Sequence, residues 1–153
     1  MVIGGTSGIG LEVVKLALQR GHRVTSVSRN PDKDSNKHPN LTIQSGNILN
    51  QESMSRLIPE HDAVILAIGL PAGSSDVVLF SEGFKTILPI MHRHQIRRLI
   101  SISAVGAGDS DGHGGIWFDW ILKPLILSAD IEDKTRQEGL IEESDLSYTI
   151  VRP

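Results

Sequence analysis

Residues 2–10 read VIGGTSGIG, and this stretch decides the fold. Its first two residues are apolar, and three of its four glycines stand at positions 4, 8 and 10 in a G-x-x-x-G-x-G pattern. An amphipathic stretch follows, with Leu11, Val14 and Leu18 at i, i+3 and i+7, which is the spacing of one helix face. Glycine spacing alone is weak evidence in a chain with 15 glycines. Its place between a strand and a helix strongly indicates a phosphate-binding turn.

Each of the three spaced glycines has a different role in the turn. Gly4 permits a tight turn, Gly8 lets the backbone approach a pyrophosphate, and Gly10 lets the helix pack close to the strand. The helix N-terminus presents unpaired N–H groups to the phosphates, and nearby hydroxyls add donors. A tight turn without a ligand is the alternative interpretation. The predicted cofactor-binding residues of the turn are Gly4, Thr6, Ser7, Gly8, Ile9 and Gly10.

The end of the second predicted strand indicates which dinucleotide the turn would bind. An NAD-selective site usually places Asp or Glu about 20 residues beyond the glycines, where it accepts a hydrogen bond from the ribose. Here that place reads Ser28, Arg29 and Asn30, and Lys33 follows. The guanidinium of Arg29 offers a planar fork of donors to a 2′-phosphate. We therefore expect Ser28 and Arg29 to bind NADP(H) in preference to NAD(H); the alternative is a solvated arginine at a strand end.

Short β-branched runs alternate with helical stretches along the whole chain. This alternation is typical of βαβ units around a parallel sheet. Several of the runs are apolar without clean alternation, as expected for strands covered on both faces. The sequence predicts one α/β domain over residues 1–153, a Rossmann doubly wound parallel sheet of about six strands with helices on both faces. The predicted strands are residues 1–4, 23–28, 41–45, 62–68, 97–103 and 147–151.

Local signals mark the ends of the predicted helices. Gly21 is placed to end the first helix as its C′ residue. Asn50 is a plausible N-cap for a short second helix. A longer helix is predicted over residues 76–94, and Pro89 is expected to kink or break it.

Two stretches of the C-terminal third allow more than one interpretation. Residues 131–143 are highly charged and carry Glu132 and Arg136 at i, i+4, which predicts a helix with a solvated face. Residues 116–127 read IWFDWILKPLIL. They would either wall an aromatic acceptor pocket or form a core or dimer-facing helix.

Composition excludes several classes of function. The net charge is −3, from 15 Lys+Arg and 18 Asp+Glu, which argues against nucleic acid as the main partner. The chain has no cysteine, so disulfides, thiolate-bound metals and a thiol nucleophile are excluded. No apolar run reaches the roughly 20 residues of a membrane span. The six histidines are scattered and residues 109–112 read as a turn, so no metal site is predicted. A cytoplasmic location fits this composition.

Downstream motifs carry a family resemblance over nearly the whole chain. GGTSGIG at 4–10 is similar to the glycine motif of classical short-chain dehydrogenases/reductases. GNI at 46–48, AIG at 67–69, ISA at 102–104 and LSYTIVRP at 146–153 resemble the atypical members of that superfamily, the NmrA-like and biliverdin-reductase-B-like NAD(P)-binding proteins. The resemblance implies further cofactor-binding residues at Asn47, Ile48, Ala67, Ile68, Gly69 and Ser103.

The catalytic pair of the classical members is incomplete here. Those members use Tyr-x-x-x-Lys, in which the lysine lowers the pKa of the tyrosine so that the phenol can transfer a proton. Lys134 resembles that lysine, but Asp130 stands in the tyrosine's place. Tyr148 falls in the last strand and is predicted to be structural. The resemblance implies Ser103 and Lys134 as catalytic residues, with solvent or a bound water as the proton source; a Ser103 bonded to backbone is the alternative.

The resemblance implies an oxidoreductase that transfers hydride from NADPH to a small planar acceptor such as a flavin, quinone or tetrapyrrole. The missing tyrosine favours the alternative, a non-catalytic NADP-binding redox sensor or regulator. Either protein would be a monomer or homodimer without nucleic-acid or membrane partners. The family pattern runs on past Val-Arg-Pro, so we expect this chain to lack a C-terminal substrate-closing segment.

Overall fold

The protein is described by a computed structural model over residues 1–31, 37–70, 78–104, 107 and 128–153. Six strands form one sheet, and every neighbouring pair is parallel. Their order across the sheet is β3-β2-β1-β4-β5-β6, which is that of a Rossmann dinucleotide-binding fold. The strands are β1 Val2–Ile3, β2 Val24–Ser28, β3 Leu41–Ser45, β4 Ala63–Leu66, β5 Arg98–Ile102 and β6 Ser147–Val151.

Helices cover both faces of the sheet, as the doubly wound fold requires. They are α1 Gly8–Gln19, α2 Gln51–Leu57, α3 Leu79–Arg93 and α4 Ser128–Glu142. Successive strand residues point to opposite faces, so Val2 joins the core under α1 while Ile3 joins the core formed with α2, α3 and α4. The predicted α/β architecture is confirmed.

Two of the predicted helix ends are observed in the structure, each with its own hydrogen bonds. Gly21 has φ +81°, and the N–H groups of Gly21 and His22 donate to the carbonyls of Leu18 and Ala17 at 2.9 and 3.0 Å. This pair of bonds is a Schellman motif. The Oδ1 of Asn50 accepts from the Ser53 N–H at 2.7 Å, so the predicted cap of α2 is confirmed.

The predicted and observed strand boundaries agree best for the two strands at the edges of the sheet. The predictions for β3 and β6 coincide with the observed strands, whereas β4 was predicted over 62–68 and ends at Leu66. The reason lies in its neighbour, because β1 ends at Ile3 and the chain turns away at Gly4, where φ is +90°. The N–H of Ala67 still donates to the Ile3 carbonyl at 2.9 Å, and residues 68–69 continue past the strand pairing with β1.

The prediction that Pro89 breaks its helix is wrong. Helix α3 runs from Leu79 to Arg93 with Pro89 inside it. Proline removes one N–H donor from the helix, but Phe84, Ile87 and Met91 on the same helix are fully buried. Packing of that apolar face outweighs the lost bond. Residues 76 and 77 of the predicted helix lie outside the described residues.

The predicted solvated face of α4 is also partly wrong. Asp133, Gln137 and Glu138 are 0%, 2% and 1% exposed. Their side chains are partnered by groups on α3, β5 and the end of β6, which compensates for their burial. We call Asp130, Asp133, Lys134, Gln137 and Glu138 the polar face of α4, since they share one side of the helix at i, i+3, i+4, i+7 and i+8.

Candidate functional site

A cavity of about 650 Å³ opens at the carboxyl ends of the strands. It lies where the strand order reverses between β1 and β4, the place at which open α/β sheets bind ligands. Every predicted site residue except Gly10 lines it. The lining residues that the predictions missed are immediate neighbours of predicted ones or come from helix α3: Ile3, Val27, Asn30, Gly46, Leu70, Leu79 and Ile102.

The glycine turn forms one wall of the cavity. Gly4 has φ +90°, and a Cβ there would run into the carbonyl of Ala67. Gly10 does not line the cavity, because its Cα faces the sheet, where a Cβ would collide with the Gly4 carbonyl. The predicted roles of these two glycines, a tight turn and close helix–strand packing, match this geometry.

Helix α1 begins at Gly8, three residues earlier than a helix following Gly10 would. Its first N–H groups therefore belong to the glycine turn itself and border the cavity. The N-cap residue is Ser7, whose hydroxyl makes no capping bond to the helix. Unpaired N–H groups and a hydroxyl at a helix N-terminus form a donor set suited to a phosphate.

The opposite wall ends in Ser28, the last residue of β2, and in Arg29 and Asn30 directly after it. The Oγ of Ser28 is buried and has no hydrogen-bond partner among the described residues, and the side chain of Arg29 is exposed. Among the lining residues that the structure describes, the charged ones are Arg29 and Lys134, and none is acidic. The wall of the cavity is thus positive, which suits an anionic ligand.

Asn47 and Ile48 connect β3 to α2 at the floor of the cavity. The Oδ1 of Asn47 accepts from the Leu49 N–H at 3.1 Å, which holds the connection in a turn. The side chain of Ile48 is 5% exposed and packs in the core. Asn47 therefore holds the turn through its side-chain oxygen without adding a negative charge.

Ser103 and Lys134 meet at the end of β5. The Nζ of Lys134 donates to the Ser103 carbonyl at 3.1 Å and lies 5.0 Å from the centre of the Phe80 ring. The Oγ of Ser103 is buried and has no hydrogen-bond partner in the part of the chain that the structure describes, so the predicted alternative of a hydroxyl bonded to backbone is not found there. Burial lowers the pKa of Lys134, and the charges of Asp130 and Glu138 oppose that shift.

Asp130 stands one helical turn before Lys134, where the classical enzymes have tyrosine. Its Oδ1 is buried and has no hydrogen-bond partner among the residues that the structure describes. Burial raises the pKa of Asp130, the charge of Lys134 opposes the shift, and the charge of Asp133 adds to it. Tyr148 lies on strand β6, is 40% exposed and does not line the cavity, and its structural role stays a prediction.

The polar face of α4 was missed as a unit by the sequence predictions. Its carboxylate Asp133 accepts from the N–H of Phe80 at 2.7 Å and from the hydroxyl of Ser81 at 2.5 Å, so it caps helix α3 from another helix. Gln137 donates to the Phe80 carbonyl at 3.1 Å. The helical spacing of these polar residues was visible in the sequence, but the partners more than 50 residues away were not.

Several predictions concern parts of the chain outside the described residues. These are Lys33, the turn at 109–112 and the stretch 116–127. In the described part of the chain, no three His, Asp or Glu side chains are placed to hold a metal ion. None of the helices described there combines the length and apolar character that crossing a bilayer requires.

Comparison with known proteins agrees with this geometry. A family model described as NAD(P)H-binding matches residues 4–153, which is nearly the whole chain. The chain belongs to this NAD(P)H-binding family. The family members bind the dinucleotide that the glycine turn and the buried hydroxyls of this cavity are suited to hold, so the predicted class of cofactor is confirmed at the level of NAD(P)H.

A curated relative of this NAD(P)H-binding chain is photosystem II assembly factor Ycf39 from Synechocystis, 26% identical over 155 residues. The match covers 99% of this chain and 43% of the relative, so the chain spans less than half of that protein's length.

Two solved structures share the fold. A short-chain dehydrogenase/reductase from Veillonella parvula in complex with NADP has a TM-score of 0.80 at 17% identity, covering 99% of this chain and 66% of the other. ChuY, an anaerobillin reductase from Escherichia coli O157:H7, has a TM-score of 0.79 at 20% identity, covering 99% and 70%. These likenesses confirm the Rossmann architecture.

Proposed function

We propose that this chain binds NADP(H) in preference to NAD(H). The observation that carries the proposal is the end of β2, where the buried Ser28 hydroxyl has no partner and Arg29 borders a cavity without an acidic lining residue in its described part. A 2′-phosphate there would receive a charge-assisted bond from the guanidinium and a second bond from the hydroxyl. The crystallised neighbour in complex with NADP supports the same choice.

The experiment compares NADP and NAD affinities by calorimetry in wild type and in Arg29→Ala. Losing a charge-assisted hydrogen bond costs about 2 kcal/mol, so NADP should bind roughly 30-fold more weakly while NAD affinity stays unchanged. The matched control is Arg23→Ala, an exposed arginine before the opposite end of β2, and it should change neither affinity. A wild-type preference for NAD, or equal losses for both dinucleotides, contradicts the proposal.

We propose further that the bound cofactor serves an oxidoreductase of the atypical short-chain type. The nicotinamide, when bound, supplies a hydride to a small planar acceptor such as a flavin, quinone or tetrapyrrole. The chain's own contribution comes from the end of β5, where the Ser103 hydroxyl orients a polar group and the Lys134 ammonium favours negative charge that develops on the acceptor. The name of the neighbour ChuY, an anaerobillin reductase, supports a tetrapyrrole as one acceptor class.

Steady-state NADPH oxidation against a panel of flavins, quinones and biliverdin tests this activity. We expect turnover with at least one acceptor. Lys134→Met keeps the length of the stem but removes the charge, and the loss of an electrostatic contact to the transition state should lower kcat about 100-fold. Absence of turnover with every acceptor, despite measured NADPH binding, would overturn the enzyme proposal.

That outcome would favour a second candidate, a non-catalytic NADP-binding sensor or regulator. Two observations support it: Asp130 stands where the classical enzymes have their tyrosine, and the curated relative is named for an assembly role rather than a reaction. A cytoplasmic location, a single domain over residues 1–153 and a monomer or homodimer stay predictions.

A further inference from the structure

Lys134 lies between two carboxylates of its own helix. Asp130 is four residues before it and Glu138 four residues after it, so both are within side-chain reach on the polar face of α4. The charges of both residues act on the lysine. The Nζ nevertheless bonds to neither, since its recorded hydrogen bond goes to the Ser103 carbonyl at the cavity wall.

Glu138 is already engaged by an arginine from the end of the sheet. Its Oε1 accepts from the Nε of Arg152 at 3.1 Å, and its Oε2 accepts from the Nη2 at 2.7 Å. The carboxylate side chain is 2% exposed, and that of Arg152 is 24% exposed. A bidentate guanidinium fork directs both carboxylate oxygens toward itself, which a single ammonium group cannot do.

We propose that Arg152 is a positioning residue for Lys134: by engaging both oxygens of Glu138, it leaves the lysine amine on the Ser103 carbonyl at the wall of the cavity. Without the arginine, a nearly fully buried carboxylate requires another cation, and Lys134 is the cation one helical turn away. The amine would then turn from the cavity toward Glu138. The role of the Lys134 amine in the cavity rests on the proposed function, whereas the inference about where the amine points does not.

The direction of the amine can be read from the Lys134 pKa, measured by NMR titration of the full chain labelled with ¹³C-lysine. The signal is assigned by its absence in Lys134→Arg. In Arg152→Gln the freed Glu138 should capture the amine and raise its proton affinity roughly tenfold. An unchanged titration in this variant would overturn the proposal.

Two further variants separate positioning from a general loosening of α4. Glu138→Gln and the double variant R152Q/E138Q both lack the competing carboxylate. In each, the pKa of Lys134 should fall below its wild-type value, because the charge of Glu138 raises it in wild type. If the Arg152–Glu138 pair only held β6 against α4, all three variants would hydrate the lysine and raise its pKa together. That common rise would contradict the proposal.

Two of the variants avoid an unpaired buried charge. The double variant replaces the ion pair by two neutral, hydrogen-bonding side chains, and Arg152→Lys keeps the charge while losing the fork. Arg152→Lys should raise the Lys134 pKa in the same direction as Arg152→Gln but by less, and a fall would contradict the proposal. All titrations use the chain without cofactor, so their outcome is independent of whether NADPH is oxidised.

Discussion

The glycine turn and the polar face of α4, through Lys134, contribute to one cavity but depend on different kinds of interaction. In the turn, Gly4 and Gly10 act through backbone conformation and through the lack of a Cβ. On α4, buried side chains act through partners on α3, β5 and the end of β6. A local motif depends on residues adjacent in the sequence, whereas a buried polar face depends on partners from distant segments of the chain.

This difference also predicts which substitutions should destabilise each of the two regions. Removing a side chain from α4 leaves buried donors without acceptors, which costs their full desolvation. Adding a side chain to the turn forces apart backbone groups that cannot move independently. The polar face of α4 is therefore sensitive to truncation of its side chains, and the glycine turn is sensitive to the addition of side chains.

The largest effect is expected for Asp133→Ala. The substitution leaves the N–H of Phe80 and the N–H and hydroxyl of Ser81 without their acceptor, all buried at the start of α3. The loss should lower the free energy of unfolding by about 4 kcal/mol. Urea denaturation measures it.

Asp133→Asn is the matched control, since it keeps an acceptor oxygen and removes the charge. It should cost about 1–2 kcal/mol. If alanine and asparagine destabilise equally, the cap acts through charge alone. If neither destabilises, α4 is a solvated helix after all, as its sequence had indicated.

The sequence predicted the parts of the molecule that depend on neighbouring residues. The Gly21 helix end, the Asn50 cap and the strands β3 and β6 were all predictable, because their signals lie within a few residues. The convergence of the site residues was also predictable, since the carboxyl ends of parallel strands meet at one edge. Helix α4 was predicted, but the burial of its polar face was not, because Asp133 and Glu138 look like surface charges until Phe80 and Arg152 are placed beside them.

A smaller effect is expected for Gly10→Ala, which tests the other wall. A Cβ at this position would collide with the carbonyl oxygen of Gly4 and lie 3.1 Å from the Cβ of Ala67. The first contact is to the backbone of the turn and the second to the residue after β4, so helix α1 must shift outward. We expect a loss of about 3 kcal/mol in the free energy of unfolding. Weaker NADPH binding should accompany it, because the helix N-terminus moves with the helix.

Gly139→Ala is the matched control, because Gly139 also lies inside a helix but a Cβ there would meet nothing within 4 Å. Alanine has the higher helix propensity, so this variant should gain about 0.5–1 kcal/mol and leave NADPH binding unchanged. Opposite signs for the same substitution in the two helices would show that α1 is fixed by backbone contact and α4 by its polar side chains. A comparable loss at both positions would contradict that distinction, because it would mean that α4 is held as tightly by its backbone as α1 is.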